Sequence, residues 1–188
     1  MVTGPGRRAL LFLDVDGPLL PFGTTAPDFA TARPPHPPLP GPARPGPPLL
    51  GGDNPLLARL DPALGPRLAA LPCDLVWATT WSQEANECLA PRLGLPRLPV
   101  VLDWDEPSPQ DRWFGLHWKT RTLVARAEGR PFVWVDDEIT DADRTWVSQH
   151  HQAPALLHHV DPRQGLTAPD FTTLATWLRT ATAPPQCG

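Results

Sequence analysis

The sequence lacks the features that mark secreted, membrane-spanning and disulfide-stabilised proteins. Its three cysteines, Cys73, Cys88 and Cys187, are odd in number and widely spaced, which favours a reducing compartment over a disulfide framework. The apolar run near the N terminus is interrupted by Asp14 and offers no small-residue cleavage site, so it does not resemble a signal peptide. No later run approaches the roughly 18 apolar residues of a membrane span. These absences predict a cytoplasmic protein without a membrane partner.

An excess of basic charge is also missing. The chain has 16 Lys and Arg residues against 20 Asp and Glu residues, a net charge of -4, so no general basic surface attracts nucleic acid. Its 188 residues, 41% of them hydrophobic, are enough for one core and too few for two ordinary domains. A single domain over residues 1–188 is expected, with no obligate protein partner evident.

Proline, by contrast, is abundant. The excess among the 28 prolines lies between Pro27 and Pro55, which predicts an irregular insert or flap at about residues 21–55. Proline has no backbone N–H and disrupts helix interiors, so a regular helical cap is not expected there.

Strand and helix patterns alternate along the rest of the chain. Short apolar runs without helical spacing predict buried parallel strands at 10–15, 75–78, 99–102 and 132–135, with a weaker one at 155–160. Helical patterns cover 56–71, 82–93, 119–128, 141–150 and 169–180. This alternation predicts an α/β fold with a mainly parallel sheet, in which ligands bind beyond the carboxyl ends of the strands.

Two carboxylates follow the first predicted strand. Asp14 and Asp16 face the same side of an extended chain, and Gly17 permits a turn that a Cβ would hinder. Two such groups repel each other by on the order of 4 kcal/mol at moderate dielectric, so they need a cation or a proton. Taken alone, the pair equally fits a solvated strand end or another metal-dependent fold, such as a glycosyltransferase.

Other strand ends add anion-binding and acidic groups. Thr79 and Thr80 offer hydroxyl and backbone N–H groups where a helix begins. Lys119 opens the helix before the next strand, which ends in Asp136 and Asp137.

Asp141 is spaced to face back toward the same region from the next turn. Oxygen ligands from two strand ends suit Mg²⁺, which is commonly shared with a substrate phosphate. Together these groups predict a phosphate site.

An Asp-x-Asp-Gly strand end, a Thr strand end, a Lys and an Asp-Asp strand end, in this order, resemble the haloacid dehalogenase-like (HAD) superfamily. The resemblance implies a Rossmann-like three-layer sandwich with a minimal cap and a rather open site. It also implies a Mg²⁺-dependent phosphatase or phosphotransferase in which Asp14 is the nucleophile and Asp16 is the acid/base. Thr79 and Lys119 would then hold the transferring phosphoryl group.

The same resemblance implies a metal site made by Asp14, Asp136 and Asp137, with the backbone carbonyl of Asp16. Dehalogenases lack an acid/base two residues after the nucleophile, so a hydrolase acting on phosphate esters is favoured.

The runs at 77–81, 116–119 and 134–138 are similar to a bacterial HAD branch that includes the HAD domains of RNA-repair proteins. A phosphorylated small molecule, nucleotide or nucleic-acid end is therefore the expected partner. Gly17, Thr80 and Trp81 are the predicted substrate-binding residues.

One alternative remains open at this point. A non-catalytic HAD-like domain that binds a phosphorylated partner or another protein would not need the acid/base Asp16. It is kept open by Pro18, which removes a backbone donor from the turn after the nucleophile and fixes φ there.

Overall fold

A computed structural model describes residues 8–22 and 54–181 of the chain. Its sheet has four parallel strands in the order β2-β1-β3-β4, namely β1 (Ala9–Leu13), β2 (Cys73–Trp77), β3 (Phe132–Asp136) and β4 (Ala155–His159). Every residue of β1 and β3 is buried, as their continuous apolar sequences predict. Since these two strands are neighbours at the centre of the sheet, the residues that follow them meet at one edge.

Helices cover both faces of this sheet. They are α1 (Leu64–Ala69), α2 (Ala90–Leu93), α3 (Pro109–Phe114), α4 (Thr120–Ala127), α5 (Asp141–His150) and α6 (Ala168–Ala181). Alternate residues of β1 face opposite sides: Leu11 and Leu13 pack in one core with α1 and α6, whereas Leu10 and Phe12 pack in the other with α4 and α5. The predicted α/β, Rossmann-like three-layer fold is confirmed.

Two segments that were each predicted as one helix are divided in the structure, so both predictions are wrong. The pattern at 56–71 forms a 3₁₀ turn, Pro55–Arg59, and the separate helix α1. Leu60, between them, is extended, and Pro62 follows shortly, a residue that disfavours helix in the position before it. The pattern at 82–93 becomes a π-helical turn, Ala85–Leu89, followed by α2, which has Pro91 in its first turn.

The predicted strand at 99–102 is reduced to one bridge, between Trp77 and Val100. Pro99 accepts a hydrogen bond from the Trp77 N–H but has no N–H to extend the ladder. Helix α3 was not predicted, although Ser108 and Asp111 form a capping box around Pro109 at its start.

The predicted insert at 21–55 lies mostly outside the described residues, which omit 23–53. Its conformation and the minimal cap therefore stay predictions. Within the described ranges, no helix has the length and apolar character needed to cross a membrane.

Candidate active site

A lysine between two buried carboxylates lies at the carboxyl edge of the sheet. Asp14 follows β1, and its N–H donates to the Val135 carbonyl of β3 at 3.0 Å. The Nζ atom of Lys119 lies 2.9 Å from Oδ2 of Asp14 and 2.8 Å from Oδ2 of Asp136. All three residues are buried, with 7%, 3% and 0% of Asp14, Lys119 and Asp136 exposed. The structure thus brings together three of the predicted site residues.

Asp136 and Asp137 differ in their partners. The Asp136 carboxylate accepts hydrogen bonds from the Lys119 ammonium, from the Trp134 indole at 3.0 Å and from the Glu138 N–H at 2.9 Å. Asp137 is half-buried, and among the described residues no other residue donates to its carboxylate. Asp137 is therefore the more available of the two for an external cation.

A group of three acids could hold such a cation. Asp14, Asp136 and Asp137 each offer a carboxylate oxygen, and these atoms lie within 4.8 Å of one another. Carboxylate oxygens fit the chemistry of Mg²⁺, which prefers oxygen ligands. The Asp16 carboxylate is not part of this group, and the expected contribution of its backbone carbonyl to a metal site stays a prediction.

Burial dominates the electrostatics of these acids. Loss of solvent raises the pKa of Asp14 to about 7, although Lys119 opposes the rise, and Asp136 adds to it. Burial and the Asp136 charge raise the pKa of Asp137 to about 6. For Lys119, burial lowers the pKa, but the charges of Asp14 and Asp136 outweigh it and raise the pKa overall. Lys119 therefore stays charged between these acids.

Asp16 lies next to this cluster and contacts a tryptophan. The Trp81 indole N–H donates to Oδ2 of Asp16 at 3.1 Å. Burial raises the pKa of the Asp16 carboxyl, and the Trp81 hydrogen bond partly opposes that rise. A carboxyl whose pKa is raised in this way can carry a proton nearer to neutral pH, which suits an acid/base.

The turn after Asp16 accommodates Pro18. Gly17 has φ +83°, and a Cβ there would lie 2.5 Å from Cγ of Asp137. Pro18 needs no N–H in this turn, and its carbonyl accepts from Leu166 at 2.9 Å. The turn is closed instead by the Leu19 and Leu20 N–H groups, which donate to Val15. Pro18 is thus compatible with the local geometry, and Gly17 allows Asp137 to approach the turn.

The two predicted threonines have different environments. Thr79 is fully buried, and its Oγ1 accepts from the Trp81 N–H at 3.3 Å. The preceding residue, Ala78, donates to the Leu13 carbonyl, which holds this strand end beside Asp14. Thr80 is exposed at the start of the turn that follows. The roles assigned to both threonines remain predictions.

Asp141 does not face back toward the site. Its side chain is fully exposed and lies 3.8 Å from Arg144 along α5. The acid that does face inward is Asp143, which is completely buried and closes a capping box with Thr140. The Thr-x-x-Asp spacing of that box is visible in the sequence and would have identified Asp143.

His117, to which the sequence assigned no role, is a neighbour of Lys119 in the site. Its Nδ1 accepts from the Lys119 N–H at 3.2 Å, and its Nε2 lies 3.2 Å from a Glu138 carboxylate oxygen. The sequence also contained a sign that sets Lys119 apart: it is the only lysine in the chain.

The parallel sheet with carboxylates, a lysine and a buried threonine at one edge defines a HAD-like α/β domain. A family model for the HAD domain in Swiss Army Knife RNA repair proteins matches residues 10–171, and the chain belongs to that family. Comparison with curated proteins and with solved structures gave no significant match. The family suggests a phosphatase-like hydrolase.

Proposed function

We propose that this protein is a Mg²⁺-dependent phosphohydrolase that acts through a phosphoaspartate on Asp14. The observation that carries the proposal is the buried contact of Lys119 with Asp14 and Asp136, next to the Asp16 carboxyl. Burying three charges is unfavourable unless they are well paired, so such a cluster at a ligand-binding edge favours a chemical role.

In the first step, an Asp14 carboxylate oxygen attacks phosphorus and forms a new P–O bond. The P–O bond to the leaving group breaks, and Asp16 transfers its proton to the leaving oxygen. In the second step, Asp16 takes a proton from water as the water oxygen attacks phosphorus. The bond between phosphorus and Asp14 breaks, which releases inorganic phosphate and restores both carboxyl groups.

The other residues hold the transferring group. The Lys119 ammonium is aimed at the Asp14 carboxylate and can offset the charge of the phosphoryl oxygens, while Thr79 provides a donor from the neighbouring strand end. Asp14 and Asp137, with Asp136 behind them, are the residues that would hold Mg²⁺. A bound Mg²⁺ would supply charge neutralisation and orient the phosphate oxygens.

A nucleotide or the phosphorylated end of a nucleic acid is the substrate class that we favour. Two observations support this: the RNA-repair description of the family, and the half-buried Trp81 ring beside Asp16. Aromatic rings of this kind can stack on a base. Small phosphate esters are a second class, to be compared in the same assay.

Hydrolysis by the full-length protein tests the chemistry. An aryl phosphate, a mononucleotide and an RNA bearing a terminal phosphate are assayed with Mg²⁺, with EDTA, and for Asp14→Asn. We expect Mg²⁺-dependent turnover that falls at least about 1,000-fold in Asp14→Asn, with Asp74→Asn as the matched control at the opposite end of the sheet. Turnover that persists in Asp14→Asn would contradict the nucleophile assignment.

A non-catalytic phosphate-binding domain is the rival function, and Asp16→Asn separates the two. The proposal expects this variant to lose turnover while it still binds beryllofluoride with Mg²⁺, measured as a rise in melting temperature. Unchanged hydrolysis would exclude Asp16 as the acid/base. If the wild-type protein neither hydrolyses any of the three esters nor binds beryllofluoride, the rival is favoured.

A further inference from the structure

Asp143 connects the segment that carries Lys119 to the segment that follows Asp137. One carboxylate oxygen, Oδ1, accepts from the His117 N–H at 2.8 Å and from the Thr120 hydroxyl at 2.6 Å. The other, Oδ2, accepts from the N–H and the hydroxyl of Thr140, at 2.8 and 2.7 Å. All four bonds are therefore made by residues that bracket Lys119 or begin α5.

These bonds do more than cap a helix. A capping box needs only the bond from the Thr140 N–H to Oδ2 of Asp143 and the bond from the Asp143 N–H to Oγ1 of Thr140, which satisfy two free backbone groups at the start of α5. The two bonds on Oδ1 reach across 26 and 23 positions of the chain to the segment around Lys119. Asp143 has 0% exposure, so these bonds are shielded from competing water.

The two Oδ1 partners lie on either side of Lys119 in the chain. Lys119 is the residue immediately before α4, and its own N–H donates to a side chain, Nδ1 of His117. His117 in turn is held through its backbone N–H by Asp143. The chain of contacts therefore runs from Asp143 through His117 and Thr120 to the backbone on both sides of the lysine.

We infer that Asp143 is a positioning residue for Lys119, acting through His117 and Thr120 to hold the ammonium against Asp14. Only the expected effect on kcat rests on the proposed function. The structural consequence, a displaced Lys119, can be measured without any substrate.

Asp143→Asn is the decisive variant. An amide accepts on its oxygen but donates from its nitrogen, so it cannot accept from both the Oδ1 partners and the Oδ2 partners. Displacement of a catalytic group by about 1 Å can cost on the order of 100-fold in rate. Because Lys119 is assigned to the transferring phosphoryl group, we expect kcat to fall by about 10- to 100-fold.

The single lysine makes a direct readout possible. Biosynthetic ¹³Cε-lysine labelling gives one side-chain signal, from Lys119, in the full-length protein. Asp143→Asn should shift or broaden that signal. Thr120→Val, which deletes one of the four bonds and keeps the shape of the side chain, should move it in the same direction by a smaller amount and provides the test if Asp143→Asn does not fold.

Asp170→Asn is the matched control. Asp170 accepts from the N–H and hydroxyl of Thr167 at the start of α6, as Asp143 does from Thr140, but its other oxygen contacts His158. It should lower the melting temperature to a similar extent and leave the Lys119 signal and kcat unchanged. An Asp143→Asn protein that loses stability like the control, with an unmoved Lys119 signal, would overturn the inference. If the wild-type protein shows no hydrolysis, the signal of the labelled lysine still tests whether Asp143 positions Lys119.

Discussion

The two ends of the sheet carry similar ion pairs in different environments. At the carboxyl edge, the Lys119 side chain is 4% exposed and contacts Asp14 and Asp136, whose side chains are 10% and 0% exposed. At the amino edge, Arg130 lies 2.5 Å from Asp74, which is 46% exposed, and Arg8 lies 3.9 Å from it on the surface. The same pairing chemistry is thus buried at one end and open to water at the other.

The energetic meaning of the two clusters differs accordingly. An exposed pair is screened by water and typically contributes about 0–1 kcal/mol. A buried cluster loses hydration, which its internal attraction offsets only when every member is present. Substitutions in the ion pairs at the amino end of the sheet should therefore change stability little. At the carboxyl end, loss of one charged side chain would leave the remaining buried charges without a partner.

Lys119→Met should break this difference most strongly. The variant leaves Asp14 and Asp136 buried without their cation, which destabilises a protein by about 3–5 kcal/mol. Urea unfolding in EDTA should show this loss, and hydrolysis should fall with it.

A double variant provides the control for that experiment. Asp14→Asn with Lys119→Met removes one charge of each sign and should recover part of the lost free energy of unfolding. A single Lys119→Met variant as stable as the wild type would mean that the buried charges are not in balance through the lysine.

The sequence predicts the fold correctly where a segment is buried on every side, as in β1 and β3. The runs in β1 and β3 are apolar throughout because both faces are covered, and helix α5 begins and ends at Asp141 and His150, as predicted. The pattern failed where proline competes with hydrophobic spacing. Pro62 and Pro91 sit within predicted helices that the structure divides, and Pro99 ends strand pairing at one bridge.

The candidate site was predictable as a set of strand ends and less so as a set of contacts. Parallel strands bring their carboxyl ends together, so Asp14, Lys119 and Asp136 were expected to meet. The orientation of each side chain depends on tertiary packing. Asp141 and Asp143 differ by two positions along α5, and only the helix-capping spacing indicates which of them turns inward.

The acidic cluster also predicts how stability changes with pH. The pKa of Asp14 is raised from 3.8 to about 7 and that of Asp137 from 3.8 to about 6. Between pH 3.8 and about 7, the folded protein therefore binds more protons than the unfolded chain. This contribution to stability is present below the unfolded pKa and is lost as pH rises through the folded pKa. Carboxyl groups with lowered pKa values, such as Asp111, act only at lower pH.

We therefore expect the metal-free protein to melt on the order of 5 °C lower at pH 8 than at pH 5.5. Calorimetry in EDTA measures this, with an Asp14→Asn, Asp137→Asn double variant as control. The control retains the six histidines, so the slope that it loses belongs to the carboxylates. Saturating Mg²⁺ should reduce the difference, because it favours the ionised acids. A slope that is identical in both proteins would argue against proton uptake at this cluster.

The smallest effect is expected at the amino edge, from Asp74→Asn. Asp74 is nearly half exposed, and its neighbour Arg130 keeps a second acceptor, the backbone carbonyl of Arg8. Since neither partner is left buried and unpaired, the free energy of unfolding should change by less than about 1 kcal/mol, and hydrolysis should be unchanged. Urea unfolding of Asp74→Asn beside Lys119→Met measures the contrast directly. Equal losses in the two variants would mean that burial does not distinguish the two ends of the sheet, and the case for a chemical role of the carboxyl edge would lose its energetic support.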